Sequence, residues 1–285
     1  MCPYRLLLPL LLALAPPALG AGPGDRLPGT GGVTQIEGAA GGGLVPWALI
    51  AGYGTDRQVG ITAFVTSADP TDFELKAAGV AVGIHDRIEV SYTRLWLGLG
   101  TTVPGESISQ DVIGAKLRVA GDGVFDQDQP WPQVAVGVQY KHNRDMAVPT
   151  ALGARNASGT DLYVAATKVW LGAVFGRNLL ANLTLRGTRA NQFGLLGFGG
   201  DLNDRYRIVP EASVGLFLTD RLVVGGEVRR KPNNLSAFRE QTASDVFVAW
   251  FPHKRVSLTA AWAMLGQIAD KQEQEAFYVS FQVNF

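Results

Sequence analysis

The chain has 285 residues, with 25 basic and 25 acidic side chains, three histidines and one cysteine, so it carries no formal net charge. The charges are spread along the chain, which excludes a basic face for nucleic acid and an acidic tail, and the lone Cys2 excludes a disulfide framework. Charged residues make up only 18% of it against 35 glycines; soluble domains carry about 25% charge, and a wall that meets lipid needs less.

The N-terminus reads as a secretory signal peptide: Arg5, the apolar run Leu6 to Leu14, then Ala18-Leu19-Gly20 ahead of Ala21. Residues 1–20 are expected to be removed, and 21–30 to form a periplasmic segment ahead of a single domain over 31–285. Cys2 precedes the apolar run rather than closing it, so the pattern is not that of a lipoprotein. No later stretch approaches the roughly 20 apolar residues that a membrane helix needs.

From residue 45 onward, segments of about ten residues alternate apolar and polar side chains, the period of a strand with two unlike faces. Thirteen can be placed, near 45–54, 58–67, 73–84, 88–98, 111–120, 132–142, 160–172, 179–189, 207–218, 222–230, 243–251, 255–265 and 277–285. Val134, Val136, Val138 and Tyr140 oppose Gln133, Gln139 and Lys141; Ile113, Ala115, Leu117 and Val119 oppose Lys116 and Arg118. Apolar outward and polar inward is the pattern of an antiparallel up-and-down transmembrane β-barrel. The connections sort by length. Tight turns fall near Thr55-Asp56-Arg57, His85-Asp86-Arg87, Gly176-Arg177-Asn178, Thr219-Asp220-Arg221 and Pro252-His253-Lys254, with Gly121 to Pro130 as a longer member of that set, and longer loops over 67–71, 100–110, 143–159, 190–206, 231–242 and 266–275 between them. Short periplasmic turns and long external loops are expected of a bacterial barrel. Such barrels have even strand numbers, so thirteen is one too many or one too few. The segment 33–39 supplies a fourteenth, the favoured count; if the Gly-rich N-terminal region is instead a plug, the count is twelve. Trp131, Trp170 and Trp250 near short-turn ends, and Trp96 and Trp262 toward long-loop ends, fit two interfacial girdles.

The final segment alternates without a slip, Phe277, Val279, Phe281, Val283 and Phe285 on one face, and stops on Phe285. Phe281, Val283 and Phe285 resemble the terminal signal by which barrel-assembly machinery recognises its clients.

Catalytic and metal chemistry find little support. His85 and His253 fall in turns and His142 at a strand end, too scattered for a joint site. Asp122, Asp126 and Asp128 lack the spacing of a calcium loop. Gly41–Gly43 and Gly197–Gly200 do not lead from a strand into a helix as a phosphate loop does. The expectation is therefore no enzyme, no metal and no cofactor. Alternation instead turns Lys116, Arg118, Gln139, Lys141, Lys168, Arg186, Glu227 and Arg229 into the lumen, more basic than acidic, lining either a water-filled path or a network that closes it.

The runs Gly31-Gly32-Val33-Thr34-Gln35-Ile36-Glu37-Gly38-Ala39-Ala40-Gly41-Gly42-Gly43-Leu44-Val45-Pro46-Trp47, Asn191-Gln192-Phe193-Gly194-Leu195-Leu196-Gly197-Phe198-Gly199-Gly200 and Lys231-Pro232-Asn233-Asn234-Leu235 strongly resemble a proteobacterial family catalogued as domain of unknown function 3034. The resemblance spans nearly the whole mature chain and implies an exported envelope protein; it supplies no activity and no site residue. The expected function is a passive outer-membrane pore or transport-related envelope component for small polar solutes. Its expected partners are outer-membrane lipid, the assembly machinery and a small polar solute, with no nucleic acid. The alternatives are a structural or adhesin-like barrel acting through its long loops and, last, a barrel enzyme.

Overall fold

Period-two alternation lets a strand present a dry face to lipid and a second face to a lumen, and pairing each strand with its neighbours satisfies every backbone group only when the sheet closes. The computed structural model, which describes residues 26–285, shows that closure. The expected signal peptide lies outside the described residues. Two short strands, β1 (Val33–Thr34) and β2 (Ala40–Gly41), pair with each other. The wall follows: β3 (Val59–Pro70), β4 (Glu74–Ile84), β5 (Ile88–Gly98), β6 (Ser107–Ala120), β7 (Gln133–Asn143), β8 (Ser158–Val174), β9 (Arg177–Thr188), β10 (Arg207–Thr219), β11 (Leu222–Arg229), β12 (Ala243–His253), β13 (Val256–Ile268) and β14 (Lys271–Asn284). Each pairs antiparallel with its sequence neighbours, and β14 pairs with β3 to close a twelve-stranded barrel.

Twelve is the lower end of the expected range, and the reason is local. The segments expected as strands over 33–39 and 45–54 do not join the wall; residues 26–54 lie inside it and 55–58 form the turn that leads into it, so the barrel proper begins at Val59 rather than at residue 31. The other twelve expected strands all appear in the wall.

The outward face is a continuous apolar band. Val136, Leu162, Leu183, Leu185, Val214, Val246, Phe277 and Phe281 are all exposed there, while their strand neighbours are buried inside. Trp131, Trp170 and Trp250 are exposed at the short-turn end and Trp96 and Trp262 toward the other, whereas Trp47 is buried in the lumen and bonds Ser213 Oγ through Nε1 at 2.9 Å.

The connections keep their sorting with two changes. β13 and β14 continue the ladder as far as Ile268 and Lys271, so the expected loop over 266–275 is a hairpin turning at Ala269 and Asp270, and β3 and β4 are joined by only 71–73. The long connections are 99–106, 144–157 with the short helix α1 (Ala147–Ala151), 189–206 and 230–242 at one end, and 121–132 is the exception at the short-turn end.

Candidate functional site: a plugged lumen

Residues 26–54 are almost wholly buried yet contain little regular structure. Backbone groups enclosed this way must find partners among the side chains around them, and wall residues supply these from all sides. Thr167 Oγ1 of β8 accepts from the Ala48 amide at 2.7 Å, and Gln133 Nε2 of β7 donates to the Ala48 carbonyl at 2.6 Å. Thr184 Oγ1 of β9 donates to the Pro46 carbonyl at 2.8 Å. Glu89 of β5 accepts from the Ala40 and Ala51 amides at 3.1 and 2.9 Å, while Lys116 of β6, itself 3.1 Å from Glu89, donates to the carbonyls of Ala40 and Leu49 at 2.9 and 2.7 Å. Thr34 Oγ1 donates to Gln282 of β14 at 2.7 Å. Glycine is required where the plug meets the wall most closely: a Cβ on Gly42 would overlap the carboxylate of Glu227, whose Oε2 accepts from the Leu44 amide at 2.7 Å.

At the centre, three carboxylates face three cations. Glu37 of the plug meets Lys141, Arg229 (2.8 Å) and Arg186 (3.9 Å). On the wall, Asp161 lies 2.7 Å from Lys141 and 3.3 Å from Arg186, and Glu211 lies 2.5 Å from Arg186 and 3.3 Å from Arg229. All six are buried. Gln139 takes a further bond from Arg186 at 2.7 Å, and the guanidinium of Arg186 lies over the Tyr163 ring. Burial by itself would raise the Glu37 carboxyl, but Arg229, Lys141 and Arg186 together hold it well below the usual carboxylate range. Removing one member of such a set leaves an uncompensated charge in a dry site.

The opposite mouth is closed by the loop 189–206, which folds inward. Its 3-10 turn at Gln192–Gly194 places Gln192 and Phe193 in left-handed backbone conformations, φ 43 and 62°, and the Phe193 carbonyl accepts from Lys141 and Gln110, both at 3.3 Å. The Arg229 guanidinium stacks 4.3 Å from the Phe193 ring centroid. Phe198 is buried against Gly159, where a Cβ would collide with its ring. The loop 230–242 locks this lid in place. Lys231 bonds Gln192 Oε1 at 3.0 Å, Glu240 accepts from the Gln192 amide at 2.8 Å, and the two ions lie 3.2 Å apart. Burial lowers the pKa of Lys231 and raises that of Glu240. Under the lid, the inward side chains are apolar. Ala68, Leu75, Leu97, Ala263 and Leu265 surround Ile36, Leu44 and Leu195, leaving a cavity of about 40 Å³. That space suits one or two water-sized molecules, not a solute.

The sequence-derived lumen residues therefore have definite places. Lys116, Gln139, Lys141, Arg186, Glu227 and Arg229 are buried inside the barrel and touch the plug or the central ionic cluster. Arg118 sits at the short-turn mouth, 2.8 Å from Asp86, which also pairs with Arg26 at 2.6 Å. Lys168 donates to the carbonyls of Asp126, Gln129 and Trp131, and so fastens the 121–132 connection rather than lining a path. Phe281 and Phe285 face outward, and Val283 shares their side of β14. Glu37, Glu89, Asp161 and Glu211 were not singled out from the sequence, although the alternation of β5, β8 and β10 already turned the last three inward.

Among the described residues no three His, Cys, Asp or Glu side chains are grouped to hold a metal ion. Asp122 and Asp126 serve as loop acceptors, Asp122 for the amides of Val124 and Phe125 and Asp126 for that of Asp122. A contact between His142 Nδ1 and Ser158 Oγ at 2.8 Å does form on the outer face, through the cross-strand pairing of β7 with β8. Asp111 occupies the matching position on β6, but its carboxylate takes the Tyr92 hydroxyl at 2.9 Å and the Arg144 guanidinium at 2.5 Å, and no bond joins it to His142. The imidazole thus lacks the orienting acceptor of a hydrolase triad.

Solved structures share this architecture. The KdgM porin superposes with a TM-score of 0.51 at 9% identity, covering 79% of this chain and 99% of that one. The same values hold for the structure described as the KdgM porin in complex with disordered oligogalacturonate. The NanC porin gives 0.51 at 9% identity, covering 78% of this chain and 98% of that one. At such identity the likeness is one of fold. No curated protein matches the sequence. A family model described as a protein of unknown function, DUF3034, matches residues 30–282.

Proposed function

The chain belongs to the DUF3034 family, and we propose that it serves in the bacterial outer membrane as a passive pore or transport-related component for small polar solutes, held shut by its own N-terminal segment. One observation carries this reading. The ladder of the wall closes on itself through β14 and β3 without using the plug, and the plug is fastened by side-chain bonds. Withdrawal of residues 26–54 would leave every wall pairing in place and, with the lid 189–206 displaced as well, open a passage that is polar from the short-turn mouth to the centre. It would also leave the centre net positive instead of balanced, since without Glu37 the cations Lys141, Arg186 and Arg229 face only Asp161 and Glu211. The passage would then favour anionic or neutral polar solutes, and a porin of the same fold is described with oligogalacturonate. We read the protein as non-catalytic, exported through a cleaved signal peptide, and delivered to the lipid by the barrel-assembly machinery. The long loops are engaged in the lid, which favours a gated pore over an adhesin.

Planar bilayers test the proposal. Protein shown to be folded by its shifted migration on boiling should give rare conductance steps, and Glu37→Ala should make them frequent. A folded barrel that stays silent with and without the plug contacts would remove the pore reading.

A further inference from the structure

Among the described residues, Lys76, Arg94 and Arg144 at the long-loop end of β4 to β7 have acidic partners, whereas most of the arginines at that end of β9 to β11 have none. Over β4 to β7, Lys76 pairs with Glu74, and Arg94 and Arg144 share Asp111. Over β9 to β11 the pattern differs. Three neighbouring outward ridges each run from apolar side chains to a basic or aromatic end: Leu183 and Leu185 to Arg189 on β9, Pro210 and Ile208 to Tyr206 on β10, and Val228 to Arg230 on β11. Register places Arg189 beside Tyr206, because Arg207 pairs with Thr188, and the Arg189 guanidinium lies 5.6 Å from the Tyr206 ring centroid. The Arg230 amide bonds the Pro210 carbonyl, four residues along β10 from Tyr206, or roughly 13 Å at the usual rise. Arg205, one residue beyond Tyr206, and Arg207, at the mouth end of the inward row of β10, are also exposed. Only Arg189 has an acidic partner, Asp204 at 3.0 Å.

We infer that this rim is a docking surface for a lipid of the outer leaflet whose headgroup carries phosphate. The apolar part of each ridge is dry surface of the kind that meets acyl chains, with Ile208 79% exposed. Tyr206 stands two residues beyond Ile208, Arg189 four beyond Leu185, and Arg230 two beyond Val228 and level with Pro210, so that the cations border the dry surface. Guanidinium groups bind phosphate oxygens through paired charge-assisted bonds, and an aromatic ring between them suits the interface. An acidic protein partner would be met equally by loop arginines pointing to solvent. Here two of the cations, Arg189 and Arg230, continue lipid-facing rows. The inference rests on the membrane reading proposed above.

The test uses the full chain in phosphatidylcholine nanodiscs doped with diphosphoryl lipid A or with its dephosphorylated form, and counts lipid retained per barrel by native mass spectrometry. The wild type should keep the phosphorylated lipid. Arg205→Gln with Arg230→Gln should lower retention about tenfold, the loss expected when such bonds are removed, and Arg57→Gln with Arg87→Gln at the opposite end should not. Equal retention of both lipids, or equal retention by both double variants, would overturn the site, as would displacement by inorganic pyrophosphate alone. If folding of the double variant is impaired, Arg230→Gln by itself must still lower retention. Failure of the wild type to insert into phosphatidylcholine at all, seen as an unshifted band on boiling, would strike the membrane reading instead.

Discussion

Glu37 Oε2 lies 2.8 Å from Arg229 Nη1, joining residues 192 positions apart in the chain, one on the plug and one on β11. The same carboxylate faces Lys141 and Arg186, so a single plug residue balances cations from three wall strands. Glu37→Gln should therefore destabilise the closed state by about 3–5 kcal/mol, the cost of orphaning a buried charge. Urea-induced exposure of the N-terminal segment, followed by limited proteolysis, measures it. Adding Arg229→Gln should restore part of the loss, and strict additivity of the two changes would show that they are not coupled.

Acid provides a second handle on the same carboxyl. The folded pKa of Glu37 is depressed, so its contribution is present above the ordinary glutamate value of about 4.3 and is lost only as pH falls well below it. Protection of residues 26–54 from protease should be unchanged between pH 7 and about pH 5. Release of the plug near pH 5 would show that Glu37 is not held by its cations.

Depth in the bilayer should set the cost of a charge on the outer face. Val248 lies midway along β12, paired with Val224 and Ala260, whereas Leu258 pairs with Trp250 near the short-turn end. Val248→Arg is expected to cost about 2–4 kcal/mol and Leu258→Arg about 0–1, read from unfolding out of vesicles. Equal costs would contradict the placement of the girdle at Trp250.

Phe285 closes the barrel seam, its amide bonding the Ile61 carbonyl at 2.8 Å and its carbonyl taking the Ile61 amide at 3.2 Å. Deleting it should reduce the amount assembled in the membrane severalfold while leaving the thermal midpoint of whatever assembles within a few degrees. A large fall in midpoint with normal yield would make the residue a stabilising one and not an assembly signal.

Ser158 gives a direct check on the proposed non-catalytic reading. With Asp111 engaged by Tyr92 and Arg144, Ser158 has no activated base and should not be labelled by a fluorophosphonate at rates above those of ordinary serines. Rapid labelling abolished by His142→Ala would reverse the non-catalytic reading.

The wall was legible in the sequence because lipid imposes a strict rule on one face. Wherever a strand crosses the bilayer, as in 277–285, the outward residues had to be apolar, and alternation located them. The lumen obeys no such rule. Near the long-loop end of β5 the pattern inverts, Arg94 facing out and Leu95 and Leu97 facing in, because the lid buries apolar side chains there. The plug was harder still: Val45 to Ile50 reads as a strand by composition, and only partners scattered over β7, β8 and β9 show why it is not one. Nothing local to Phe193 or Phe198 says whether their loop turns inward; what marks it is the bare Gly159 on the facing strand.

The plug also constrains the order of events during biogenesis. On the proposed export route residues 26–54 would emerge before any wall strand, yet they end up enclosed by a ring whose last seam, β14 against β3, cannot form until residue 284 has arrived. The segment is tied to that ring at Val59, beside the short-turn mouth where Arg26 meets Asp86. On that route it would be gathered into the nascent sheet before closure or threaded in afterwards through the short-turn mouth, and a later exit would retrace that mouth. The barrier at the short-turn mouth would then answer to whatever grips this one tethered segment, and the lid at the other mouth would answer to the outside.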